Sequence, residues 1–301
     1  MGKASRRPRT RRADRADRAD RAAGPAPAPF VTRPFEGLPG ETDWVAMREI
    51  VPAATATVRF AAGRAPAQAP EEVTIATVLP LAWPALHRAS GEVLVGIQSG
   101  DIGGDPSRDI ASAITYAVAV PPGAPVETLP LSTSETIRLQ DLLDMQTPFE
   151  ATVHDGFDFW VEDAGLDADG RASLERANDS AIPTVKLNSA PSCYWCRIGE
   201  RTYVRWVLPH DEDTSTRALA RLHASGASAL GESGRLLGCF RSSGLLIPVW
   251  EVAAAAEADA FEAAVAQLAT RIESAAARTD PLDAAERGAK AGLTNRQVTL
   301  R

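Results

Sequence analysis

Four sets of residues in this chain have the types and spacing that chemistry uses. Cys193-Tyr194-Trp195-Cys196 is a C-x-x-C pair, the spacing of zinc sites and thiol redox centres. His87 and His223 fall at similar places in two stretches of similar sequence, so a symmetric histidine pair lining a shared cleft is one reading. Asp155, Asp158, Glu162, Asp163, Asp167 and Asp169 form an acidic run ending Asp167-Ala168-Asp169-Gly170, which imitates half of a calcium loop. The loop Ser99-Gly100-Asp101-Ile102-Gly103-Gly104-Asp105 has the glycines to cradle an anion on backbone amides, but its own aspartates oppose one.

Each set meets a physical objection. The C-x-x-C opens a run rich in aromatic and β-branched residues, which reads as a strand and not as the helix N-terminus that activates a redox thiol. In a strand, positions i and i+3 face opposite ways about 10 Å apart, beyond the roughly 7 Å that a disulfide spans. A structural zinc needs four ligands, and Cys239, His210 and His223 complete a set only through long-range folding. We therefore expect buried structural cysteines, with no metal and no cofactor. With Gly170 at the sixth loop position, the calcium pattern has Gly165 first and Arg176 twelfth, so two ligands are missing and a solvated linker is expected. Neither a P-loop nor a G-x-G-x-x-G, G-x-S-x-G or H-E-x-x-H pattern is present. No catalytic residue is assigned.

A fifth chemistry is electrostatic. Residues 1–21 carry nine basic and three acidic groups, a net +6, on a body of net −13 within a 301-residue chain of formal charge −7. Lys3, Arg6, Arg7, Arg9, Arg11 and Arg12 have no anion among them, and they are the candidate nucleic-acid-binding residues. An acidic body excludes a dedicated nucleic-acid-binding domain. A short basic arm on such a body suits a tether to ribosomal RNA or DNA, or a solubility tail. Arginine outnumbers lysine 29 to 3 in a chain with 55 alanines, a bias that a GC-rich coding sequence also produces.

The elements that position these groups follow from periodicity. Residues 1–29 are expected to be a disordered basic arm built on Arg-Ala-Asp triplets, ending in an extended Pro/Ala spacer. Thr42 or Asp43 can cap a short helix carrying Trp44, Met47 and Val51. In the first half (30–160) strands are expected at 54–61 and 72–79, a helix near 83–89, strands at 92–98 and 112–120, and a helix at 134–145. In the second half (161–278) strands are expected at 192–198 and 201–208 joined by Gly199-Glu200, then a helix at 214–224, strands at 235–241 and 245–252, and a helix at 257–277. Phe261, Val265, Leu268 and Ile272, spaced 4, 3, 4, make the last helix amphipathic. Residues 279–301 read as a surface tail. The expected architecture is α+β: two similar ββαββα halves in a pseudo-two-fold arrangement around mixed or antiparallel sheet. No run approaches the ~20 apolar residues of a membrane span. Three cysteines do not make a disulfide framework, and the N-terminus lacks a signal-peptide apolar region. A cytoplasmic protein is expected.

The segments Arg33-Pro34-Phe35-Glu36-Gly37-Leu38-Pro39-Gly40-Glu41, Tyr194-Trp195-Cys196-Arg197, Gly244-Leu245-Leu246-Ile247-Pro248-Val249-Trp250 and Arg296-Gln297-Val298-Thr299-Leu300-Arg301 resemble an uncharacterised actinobacterial family, over about residues 30–301. That resemblance implies no activity and no catalytic residues. Two functions fit the residues. One is a non-enzymatic binding or adaptor protein of unknown protein partner, with the arm on ribosome or nucleic acid and the aromatic-rich second half (Tyr194, Trp195, Tyr203, Trp206, Trp250) supplying core or partner surface. The other is an enzyme with its site between the halves, using His87, His223 and the acidic run.

Overall fold

The structure is a computed structural model that describes residues 26–77, 83–98, 103–161 and 168–295. Helix α1 (Glu41–Glu49) precedes strands β1 (Ala54–Arg59), β2 (Glu72–Ala76), β3 (Ala85–His87) and β4 (Val93–Gly96). Helix α2 (Pro106–Ala119), β5 (Ala124–Val126), the single turn α3 (Leu139–Leu142) and β6 (Thr152–Val153) complete the first lobe. Helix α4 (Ala168–Ser180) leads into β7 (Thr184–Leu187), β8 (Cys193–Ile198) and β9 (Arg201–Trp206). Then come α5 (Glu212–Ala224), β10 (Arg235–Ser242), β11 (Leu245–Val252), α6 (Glu262–Ala276) and α7 (Ala284–Asn295).

The first sheet is mixed, in the order β5-β3-β4-β2-β1-β6, and the second is antiparallel, in the order β10-β11-β9-β8-β7. This is the α+β class expected, but the duplicated unit is not found. The central orders β3-β4-β2-β1 and β10-β11-β9-β8 correspond, yet β2 and β4 run parallel where β9 and β11 run antiparallel. Nor does the first lobe have the ββαββα order.

Two misread segments account for that. Residues 83–89 are not a helix. Pro84 and the Ser90-Gly91 turn leave room for only a three-residue strand, with Ala85 and His87 buried and Leu86 facing the other way. Residues 112–120 are not a strand, because α2 runs through them. Asp105 caps that helix by accepting from the Ser107 amide at 3.1 Å, Pro106 sits in its first turn, and Ile110, Ile114 and Ala117 form its buried stripe. The dense Ile, Thr, Tyr and Val there carry strand propensity, and the cap and tertiary burial override it.

Further differences lie at the margins. The helix expected at 134–145 shrinks to α3. The acidic run expected as a solvated linker ends in α4, whose first turn holds Asp169, so the calcium-loop pattern is helical and exposed there. Asp167 lies outside the described residues. The expected tail contains α7, started by a reciprocal cap: the Glu286 amide donates to Asp283 Oδ1 at 2.8 Å and the Asp283 amide to Glu286 Oε2 at 2.9 Å. The expected cap of α1 is replaced by Gly40, with φ at 62°, against which the Phe149 carbonyl packs where a Cβ would stand.

The second sheet has two buried faces. Trp195, Trp206 and Trp250 look toward the core shared with Leu219 of α5 and with Val265, Leu268 and Ile272 of α6. Tyr194, Val207, Leu245 and Ile247 look the other way, into the core built on Phe35, Trp44 and Met47 of the first lobe. Each fully buried aliphatic side chain in these layers is worth ~1.5–3 kcal/mol. The lobes thus share one apolar interface, and the aromatic residues of the second half are core, not partner surface.

Candidate functional site

The two sheets come together at their edges, where β6 and β7 are neighbours. The groove there has a volume of about 730 Å³ and runs between the segment Gln146–Ala151 and the segment Lys186–Ser192. Its floor is a polar cluster around Asp43. That residue is on the third position of α1, which turns its carboxylate inward, and it is only 6% exposed. Lys186 and Tyr194 are cross-strand partners of β7 and β8, so both side chains leave the same face and converge on it. Lys186 Nζ lies 3.0 Å from Oδ2, and the Tyr194 hydroxyl donates to Oδ1 at 3.0 Å. The Ala151 amide donates to Oδ2 at 3.3 Å. Ser192 Oγ is 2.5 Å from Oδ1 and 2.7 Å from Thr42 Oγ1. A hydroxyl has one proton, so Ser192 gives it to the carboxylate and accepts from Thr42.

Chemically this is a closed arrangement. The acceptor capacity of Asp43 is spent on four donors from three segments, and Ser192 is fully buried, at φ 51°. The cluster joins the lobes by a buried charge pair and hydrogen bonds.

Burial and the neighbouring Asp43 charge push the Tyr194 hydroxyl far above the ordinary phenol range. Burial likewise raises the Cys193, Cys196 and Cys239 thiols, with Arg205 partly offsetting it at Cys196. A raised folded-state pKa contributes stability that is complete below the unfolded pKa and lost as pH rises above it. Stability is therefore expected to hold through neutrality, to fall from about pH 8.5 as unfolded thiols ionise, and to fall further above about pH 10 as the unfolded phenol ionises. Urea midpoints at pH 7, 9 and 10.5 check this. A midpoint that stays level to pH 10.5 contradicts it.

The sequence-derived candidates are dispersed. Cys193 and Cys196 face opposite sides of the second sheet, in separate apolar clusters, as strand geometry requires. Cys239 approaches the Leu293 carbonyl at 3.9 Å. No group of three or more His, Cys, Asp or Glu among the described residues is placed to hold a metal. The histidine pair is not brought together. His87 is buried on β3, with Nδ1 2.8 Å from the Val120 carbonyl, whereas His223 is exposed on α5, 3.0 Å from Ser228 Oγ. Neither histidine lines the groove. Asp155, Asp158 and Asp169 are exposed, Asp158 taking a bond from Asn178 at 3.1 Å. Glu162 and Asp163 lie outside the described residues, as do 99–102 of the glycine loop and Lys3, Arg6, Arg7, Arg9, Arg11 and Arg12.

The groove cluster was missed because Asp43 lies 143 to 151 residues in sequence from Lys186, Ser192 and Tyr194. No spacing rule reaches that far. A second groove, of about 560 Å³, lies between α5, α6 and α7. There buried Arg221 donates to the carbonyls of Ala275, Arg278 and Asp280, which closes the turn after α6.

The root of the arm is the other feature of note. Pro27 bridges to Thr133, the Ala28 amide donates to the Ser132 carbonyl at 3.0 Å, and the Val31 amide donates to Gly104 O at 2.8 Å. A Cβ on Gly104 would lie 2.6 Å from Ala28 O, so the glycine is what lets this strap lie flat on the body.

These features define a two-lobed α+β protein with a polar lock between its lobes and a strap at 26–31 lying on the body. The chain matches a family of unknown function (DUF5926) over residues 34–301 and belongs to that family. No curated protein and no solved structure matches it. Among the described residues no helix is long and apolar enough to cross a membrane.

Proposed function

We propose that this chain is a cytoplasmic binding or adaptor protein that its basic N-terminal arm tethers to ribosomal RNA or other nucleic acid. The observation that carries this reading is the separation of charge, +6 on residues 1–21 against −13 on the rest. The strap at 26–31 supports it, because it fixes where the arm joins the body. The body's own arginines near that point are spent internally. Arg33 makes a two-pronged pair with Glu41, at 2.6 and 2.8 Å, and Arg138 lies 3.0 Å from buried Asp105.

The test is co-sedimentation with ribosomes, using the full chain and a full-length variant with Lys3, Arg6, Arg7, Arg9, Arg11 and Arg12 all changed to Gln. The natural chain is expected to pellet at low salt and to be released as salt rises, log K falling by ~0.7–0.9 per phosphate contact for each unit of log salt. The variant is expected to stay in the supernatant. Equal pelleting of the two removes the arm from the function.

A further inference from the structure

We infer that the groove between α5, α6 and α7 binds the phosphate group of a small soluble phosphomonoester, with Arg271 as its main anchor. The inference does not depend on the arm. The groove, of about 560 Å³, has the size of a small-molecule site. Its walls carry donors that the fold leaves without acceptors. Arg271 is held by one hydrogen bond, from Nη2 to the Ala229 carbonyl at 2.9 Å, and its Nε is buried with no acceptor. Arg221, only 3% exposed, gives its Nη atoms to three carbonyls. Its Nε is also buried with no hydrogen-bond partner, 3.9 Å from Glu286 Oε1. Native folds seldom bury such groups unmatched unless an ion or water meets them. Here two of them, from different helices, belong to side chains that line one groove.

Charge selects the ligand. Of the three arginines lining the groove, two are neutralised: Arg278 by Asp280 at 2.6 Å and Glu286 at 3.4 Å, and Arg221 by Asp280 at 3.8 Å and Glu286. Arg271 pairs with no carboxylate among the described residues. The groups that would repel an anion are occupied. Asp283 and Glu286 close the reciprocal cap of α7. The last carbonyls of α5 are taken too, Arg221 O by Ser225 Oγ at 3.0 Å and Leu222 O by the Ala227 amide at 2.7 Å. The first amides of α7, at Ala284 and Ala285, have no partner within the helix, and Ala285 lines the groove, so the positive end of α7 opens on it. Donors thus reach the groove from three helices. A tetrahedral phosphate offers acceptors in three directions at once, where a carboxylate offers them in one plane. Leu222, Ala227 and Ala275 leave an apolar wall for the organic part of the ester. None of the large exposed apolar side chains lies on α5, α6 or α7, so nothing there would enter a bilayer, and a soluble ester is the source of the phosphate.

The test is calorimetric titration of the full chain with phenyl phosphate and with benzoate, beside sedimentation with vesicles containing phosphatidic acid. The proteins are the natural chain, Arg271→Gln and Ser274→Glu. Ser274 is exposed on α6, lines the groove and stands three residues after Arg271. A glutamate there supplies the carboxylate that Arg271 lacks and suits the helix. It carries the test if Arg271→Gln, which loses the bond to Ala229, does not fold; circular dichroism checks both. The natural chain is expected to bind phenyl phosphate more tightly than benzoate. Each variant is expected to bind phenyl phosphate about 10- to 150-fold more weakly, the range of one lost charged hydrogen bond. No binding of phenyl phosphate by the natural chain at millimolar concentration overturns the inference and leaves the two Nε–H groups to water. Binding by either folded variant equal to that of the natural chain also overturns it, because the arm, present in every protein, then accounts for the affinity. Benzoate binding as tight as that of phenyl phosphate overturns it in favour of a carboxylate. Arg271-dependent binding to vesicles with none to phenyl phosphate overturns it in favour of a lipid headgroup.

Discussion

Asp43→Ala is expected to cost about 3 kcal/mol of folding stability, near the lower end for breaking a buried ion pair. The change leaves the Ser192 and Tyr194 hydroxyls and the Ala151 amide without their acceptor, inside the interface between the lobes. Each stranded buried group costs ~1–3 kcal/mol where no water replaces the lost partner. Lys186 adds less, because its side chain is 27% exposed and water reaches it from the groove. Asp43→Asn keeps the volume but loses the charge, and it is expected to fall between the two. Adding Lys186→Met to Asp43→Ala should recover part of the loss by removing the orphaned ammonium. Urea denaturation of the natural chain, Asp43→Ala, Lys186→Met and the double variant measures this as a double-mutant cycle. The interface is shared, so a broader transition or a lower m-value for Asp43→Ala would show the lobes melting separately. A loss under about 1 kcal/mol at an unchanged m-value would mean that the apolar layer alone joins the lobes.

Trp44→Ala is expected to be as damaging or more so, at about 3–5 kcal/mol. The indole is buried, with its ring 3.9 Å from that of Phe149 at an interplanar angle of 8° and 5.6 Å from that of Phe35. Truncation opens a cavity between α1 and the 149–151 segment, at the point where the Gly40 turn sets the entry angle of the helix. Trp44→Phe should cost well under half as much. It keeps a stacking ring, and it removes an indole N–H that is buried with no acceptor, so part of the lost packing is offset by a smaller desolvation penalty. Thermal and urea unfolding of the two variants give the comparison. Equal losses for Ala and Phe would show that the indole nitrogen is satisfied in solution.

Much of the second lobe was legible residue by residue. The helix expected at 214–224 is α5, which the structure shows starting at an Asp211 cap that accepts from the Thr214 amide at 3.0 Å, and the 4, 3, 4 stripe of α6 is buried as its spacing demands. The turn at Gly199 has φ 58°, the left-handed value that a Gly-X hairpin asks of glycine. The opposite facing of Cys193 and Cys196 also followed from strand geometry alone. Caps, turns and apolar periods are energies exchanged between residues a few positions apart, so the local chain states them outright. The same local scale failed at β3, too short to show a period, and at α2, where β-branched residues sit in a helix that its cap and its burial against β4 hold. It failed again at the pairing sense of β2 and β4, which depends on how the chain returns to the sheet and not on either strand.

The basic charge of residues 1–21 is a property of composition, and no structure was needed to see it against the acidic remainder. What only the folded chain settled is which polar groups are buried together. Asp43 read as a possible helix cap, Lys186 as one of three lysines, and Ser192 and Tyr194 as neighbours of a cysteine pair. The tertiary structure brings them within hydrogen-bonding distance across more than 140 residues. It likewise leaves the buried Nε–H groups of Arg221 and Arg271 without acceptors at one groove. The physical reason is common to both. Desolvation and exposure depend on everything packed around a side chain, and those neighbours come from distant segments that meet only when the apolar layers close.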